Sequence, residues 1–165
     1  MRLDVTRALK EPGTTFHFEG TQEIPDQDVN GSTVTFDPAE IAGTYQALDD
    51  GSIIVDGTVT VVAHSPCANC LEPAQSTVSN VYRETFIHDG DPEDDEIFTY
   101  TSSAVDFSRL VLSYVMMALP MRFLCKEDCQ GWRQYWQPDE PAEEKEDKQY
   151  PFAALQQLLQ QKEEE

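Results

Sequence analysis

The chain has 165 residues, 39% of them hydrophobic, with 31 acids against 11 bases and a formal net charge of -20. That length and apolar content suit one domain with a real core, and eight Phe, six Tyr and two Trp are too many rings for a wholly disordered chain. The charge argues against non-specific binding to DNA or RNA, since phosphate contacts need Lys and Arg to release counterions, and favours a basic protein partner or simple solubility.

In chain order, Arg2-Leu3-Asp4-Val5, Thr15-Phe16-His17-Phe18 and Thr33-Val34-Thr35-Phe36 alternate polar with apolar and read as half-buried strands. Pro12-Gly13, Pro25-Asp26 and Asn30-Gly31 supply the turns between them. Asp37 to Ile41 reads as a short helical turn or an irregular crossing. Ser52 to His64 is the longest strand signal, and Gly57 inside it predicts a bulge or a corner. This strand delivers the chain into Cys67, and Ser76 to Ile87 is predicted to return along the sheet, which puts Cys67-Ala68-Asn69-Cys70 at a hairpin tip.

Asp89 to Glu96 carries six acids and reads as a solvated loop, followed by a strand at Ile97 to Tyr100. A helix is predicted from about Val105 to Leu119, where Phe107, Leu110, Val111, Tyr114, Val115 and Ala118 recur at three- and four-residue steps behind the capping candidates Ser103 and Asp106. Leu112, Met116, Met117 and Leu119 make it apolar nearly all round, which predicts deep burial, and Pro120 should end it. The chain then passes through Met121 to Leu124 into Cys125-Lys126-Glu127-Asp128-Cys129. Trp132, Tyr135 and Trp136 beside Arg133 read as rings closing a core edge or as a base-stacking platform.

Residues 138–150 have the charged composition of a linker, and 151–165 place Phe152, Leu155, Leu158 and Leu159 on one face of a terminal amphipathic helix opened by Pro151. The predicted organisation is one α+β domain over residues 1–137 carrying both cysteine pairs, then the linker, then the C-terminal helix. Its architecture is a mostly antiparallel bent sheet or partial β-barrel covered by one buried helix. No run approaches the roughly 18 apolar residues of a membrane span, and Met1-Arg2-Leu3-Asp4 lacks a signal-peptide apolar region, so no membrane association and a cytoplasmic location are expected.

In a reducing compartment cysteine pairs are more often metal ligands or redox groups than disulfides. C-x2-C on a hairpin tip presents two thiolates to one zinc, and Cys125 and Cys129, four apart on a turn of helix, would share a face. Three readings follow: a structural zinc held by Cys67, Cys70, Cys125 and Cys129, four reduced thiols, or a redox pair. A zinc here would clamp a pre-formed domain, because 54 residues separate the pairs. The redox reading is the weakest, since Cys67 follows a strand and Pro66 instead of opening a helix. His64 is near enough in sequence to serve as a further ligand, or is a surface strand histidine. No G-x-G-x-x-G, phosphate loop, H-E-x-x-H or G-x-S-x-G is present, so no enzymatic activity is expected.

The order of strand, C-x-x-C-L-E-P, hairpin return, acidic loop, a helix ending in Ala118-Leu119-Pro120, then L-C-x-x-D-C-x-G, together with the closing Pro151-Phe152-Ala153-Ala154-Leu155, resembles the YceD-like proteins, the large ribosomal RNA subunit accumulation proteins. The resemblance spans roughly Val55 to Gly131 and the last helix. Two places depart from it: Trp132 to Trp136 stand where Cys-rich relatives continue with a further cysteine pair, and Leu112-Ser113-Tyr114 supplies no acid before the helix end. The resemblance implies a non-enzymatic, cytoplasmic bacterial factor needed for accumulation of large-subunit, 23S-type ribosomal RNA. Two modes of ribosome biogenesis fit: contact with precursor ribosomal RNA through Arg122, Lys126, Trp132, Arg133 and Trp136, or capture of a basic ribosomal protein of the large subunit by the acidic surface. An acidic, zinc-stabilised interaction module or adaptor not dedicated to ribosomes is the alternative.

Overall fold

The computed structural model describes residues 1–131 except Pro92 and Asp95. Along it run β1 (Arg2–Asp4), α1 (Thr6–Lys10), β2 (Phe16–Gln22), β3 (Gln27–Val29), β4 (Ser32–Phe36), β5 (Ala39–Ala47), β6 (Ile53–Pro66), β7 (Pro73–His88), β8 (Phe98–Tyr100), β9 (Ala104–Asp106) and α2 (Ser108–Ala118). Local chemistry sets several of the joints. Asp4 Oδ1 accepts the backbone N–H and hydroxyl of Thr6 at 2.8 and 2.5 Å and opens α1. Asn30 and Gly31, at φ 55° and 77°, form the two-residue turn joining β3 to β4.

The spine is the antiparallel pair β6 and β7, in register without interruption from Ile53 opposite Phe86 to Pro66 opposite Pro73. The other edge of β6 is shared: β5 takes Ile53 to Thr60 and β4 takes Ala63 and His64. The seven-stranded sheet therefore forks along β6, with β2 outside β5, β3 outside β4, and β8 lying parallel against the end of β7. It does not close into a barrel. A separate two-stranded sheet pairs β1 with β9 and ties the N-terminus to the entry of α2.

Odd residues of β6, among them Ile53, Val55, Val59, Val61 and Ala63, point into the core, and from β7 Ala74, Val78, Tyr82 and Phe86 meet them. Helix α2 packs on β7 and β6 through Leu110, Val111 and Val115, with Phe107 at its start. The Phe107 ring lies 5.1, 6.5 and 6.0 Å from those of Phe18, Tyr82 and Phe86. Asp106 Oδ1 accepts the Ser108 N–H at 2.8 Å at the head of α2, and Leu119 leaves it in an extended conformation, as the residue before proline must.

Several expectations are corrected. Of the segment Asp37 to Ile41, only Asp37 and Pro38 are irregular: Ala39 to Ile41 open β5, an inner strand paired on both sides. Gly57 marks no bulge or corner, since both ladders run through it. A Cβ there would lie 2.4 Å from the Ala42 carbonyl and 2.8 Å from the Tyr82 hydroxyl, so the glycine serves close approach. Val105 belongs to β9, so α2 starts at Ser108. That helix is buried on one face only, with Met117 66% exposed and Leu112 and Met116 half-buried. Helix α1 has no counterpart among the sequence expectations. The expected linker at 138–150 and terminal helix at 151–165 lie outside the described residues.

Candidate metal centre

The inward phase of β6 continues through Ser65 to Cys67, which is wholly buried. Pro66 and Pro73 face each other as the last ladder pair, and no strand continues past them. The chain turns instead: the Cys67 N–H donates to the Glu72 carbonyl at 2.8 Å and the Leu71 N–H to the Cys67 carbonyl at 2.9 Å, with Leu71 at φ 64°.

The second pair comes from the segment after α2. Phe123 is buried and anchors it, and its carbonyl accepts the Ala68 N–H at 2.8 Å. Cys125 to Cys129 form a turn closed by the Cys129 N–H donating to the Lys126 carbonyl at 3.2 Å, in place of the expected turn of helix. Two residues not singled out from the sequence lock this turn to the hairpin tip. The Asn69 side-chain amide donates to the Cys129 carbonyl at 3.0 Å. Gly131, at φ 62°, leaves room for the Asn69 carbonyl, which would stand 2.8 Å from a Cβ at that position.

The four sulfurs lie within 4.8 Å of one another. Across the two loops Cys67 Sγ to Cys129 Sγ is 3.7 Å and Cys70 Sγ to Cys125 Sγ is 3.6 Å, too long for disulfides, and all four cysteines are free. Four thiolates each about 2.3 Å from one ion sit about 3.8 Å apart in a tetrahedron, so the donor set fits a metal once its widest sulfur pairs, up to 4.8 Å apart, close by about an ångström. The ionisation pattern agrees with a site that needs a cation. The Cys125 N–H directed at Cys67, with the Asn69 and Cys70 amides, brings its thiol down to about 6 against the cost of burial. Cys125, beside the Cys70 sulfur and desolvated, is pushed up to about 12. Sulfurs this close oppose each other's ionisation, whereas a divalent ion at their centre would hold all four as thiolates.

His64 does not join them. It stands on the opposite face of β6 from Cys67, and its Nε2 is 3.2 Å from Asp37 Oδ1. Arg122 and Lys126 are both exposed on the second loop, while Trp132, Arg133 and Trp136 lie outside the described residues. Among the described residues no helix is long and apolar enough to cross a membrane.

A family profile described as large ribosomal RNA subunit accumulation protein YceD matches residues 55–159. No curated protein and no solved structure matches the chain. The matched span takes in β6 from Val55 onward, β7, both cysteine pairs and α2 and covers more than half of the sequence, so the protein belongs to the YceD family of large ribosomal RNA subunit accumulation proteins.

Proposed function

We propose that the protein is a non-enzymatic, cytoplasmic ribosome-biogenesis factor that supports accumulation of 23S-type ribosomal RNA by holding a basic ribosomal protein of the large subunit. The family membership carries the ribosomal part of this reading. Its mode rests on charge: a chain at -20 repels precursor RNA and attracts the Lys- and Arg-rich proteins that RNA binds. The cysteines supply structure in this account. Four protein sulfurs around one zinc leave no open position for substrate, so Cys67, Cys70, Cys125 and Cys129 form a closed structural site.

The acidic groups are also gathered in space. Tyr100, whose hydroxyl donates to the Gly51 carbonyl, joins the β5–β6 turn with Asp49 and Asp50 to the loop after β7 with Asp89, Asp91, Glu93, Asp94 and Glu96. Burial and the nearby Asp89 and Asp50 charges push the Tyr100 hydroxyl upward in pKa. Strand β6 carries the chain from this acidic end to the cysteines, about 43 Å at ~3.3 Å per residue.

Immobilised protein incubated with purified large-subunit proteins, and separately with ribosomal RNA, at low ionic strength tests the reading. Retention of a basic ribosomal protein without RNA is expected. Retention of RNA alone favours direct contact through Arg122 and Lys126, and retention of neither leaves an adaptor unconnected with ribosomes.

A further inference from the structure

The face of β2, β5, β6 and β7 turned away from the core carries only exposed or half-exposed side chains. Across it runs a depression of about 740 Å³. Its floor is the rung Phe18–Gly43–Gly57, where two glycines face each other in register. A Cβ on Gly43 would stand 2.2 Å from the Asp56 carbonyl, so no other residue allows the strands to approach this closely. One wall is the rung His17–Thr44–Asp56 and the other is Glu19–Ala42–Thr58. Crossing three strands spaced about 4.8 Å apart, the trough is about 10 Å long, the span of about three residues of extended chain.

We infer that this trough seats an extended Lys- or Arg-bearing segment of the partner. The inference deepens the basic-partner reading above and rests on it. Glu19 and Asp56 stand on opposite walls and at opposite ends, so successive cationic side chains can each meet a carboxylate while the Thr44 and Thr58 hydroxyls face the backbone. On the outward faces of β2, β5, β6 and β7, Glu19, Glu40 and Asp56 oppose one guanidinium, that of Arg83. Arg83 lies 3.9 Å from Asp56 with both side chains well exposed, a pair weak enough to exchange for an incoming cation. Asp56 is three residues from Ile53, where the acidic end begins, so the charges that would steer such a segment in lie just beyond the His17–Thr44–Asp56 wall along β6. The carboxylates oppose an acidic segment or a phosphate backbone in the same place.

The test uses the full chain and a labelled short Lys/Arg-rich peptide, with an acidic peptide of equal length beside it. Binding of the basic peptide alone is expected, with amide shifts centred on Ala42, Gly43, Gly57 and Thr58. The paired substitution Glu19→Gln and Asp56→Asn should weaken binding about tenfold, with unchanged thermal unfolding. Shifts confined to Asp49, Asp50 and residues 89–96, or an unaltered affinity in the double variant, would overturn the site. Retention of a ribosomal protein equally by wild type and variant rejects the trough and leaves the partner reading standing. Peptide binding in the trough with no ribosomal protein retained rejects the partner reading and leaves the trough. Binding of neither rejects both.

Discussion

At the Ile53 end of the β6–β7 hairpin the interior is made of Ile53, Phe86, Phe107 and Leu110, none more than 1% exposed. At the Cys67 end the corresponding cluster is Val34, Ala63, Cys67, Ala74, Phe123 and Cys129, small side chains apart from one ring. Each large apolar side chain buried at the first end contributes about 1.5–3 kcal/mol, enough to hold a forked sheet and a half-buried helix together. Partly buried Val29, Phe36, Leu119 and Leu124 pack against this cluster, and the two cysteine loops join through the Ala68 N–H to Phe123 carbonyl bond and the Asn69 side chain. A metal held by the four sulfurs would sit at the end of the hairpin where the hydrophobic core thins out.

Breaking the first end should cost most. Phe107→Ala removes a wholly buried ring that meets three others and should lower global stability by about 3–5 kcal/mol, read as a fall in denaturant midpoint. Removing metal should act on the other end alone. Chelation should expose four titratable thiols, abolish exchange protection at Cys67 to Leu71 and lower stability by about 2 kcal/mol, while amides from Val55 to Val61 stay protected. Uniform loss of protection along β6 would show that the two ends are one cooperative unit.

Finer changes sharpen the contrast. Gly131→Ala forces an alanine to φ 62° and against the Asn69 carbonyl, and should cost about 1–2 kcal/mol, with faster metal loss to a chelator than in the wild type. The smallest effect belongs to the hydroxyl that joins α2 to β7. Tyr114 donates to Glu84 Oε1 at 2.5 Å, and that bond, with desolvation and the Glu84 charge, pushes its pKa up to about 12. A raised folded pKa means full stabilisation below pH 10, lost as the pH rises toward 12. Tyr114→Phe should cost about 1 kcal/mol at neutral pH and flatten part of that alkaline decline. Tyr82, also raised to about 12 by burial, keeps the rest of the slope.

What was legible in the sequence follows from how local each signal is. The run from Ile53 to Ala63 is rich in Ile, Val and Thr and leads straight into Cys67, so both the long strand and the hairpin tip could be read, and cysteine spacing then pointed to one shared site. Strand β5 was hidden because its inward positions are Ala39, Ile41, Gly43, Tyr45 and Ala47, three of them too small to register as a β signal. Gly57 suggested a bulge because the sequence does not show Gly43 and the Tyr82 hydroxyl pressing on it. The apolar circumference of α2 suggested full burial, yet nothing described covers Met117. His64 was excludable in advance: residues 64 and 67 of a continuous strand face opposite sides. The parts played by Asn69 and Gly131 depend on a contact across some 60 residues, which no local pattern reports.

The most direct test of the claim that metal holds the cysteine end is the zinc content of natively folded protein purified without chelator, measured together with thiol titration. Close to one zinc per chain and four thiols that react only after chelation are expected. A folded protein with no bound metal and four freely reacting thiols would contradict it.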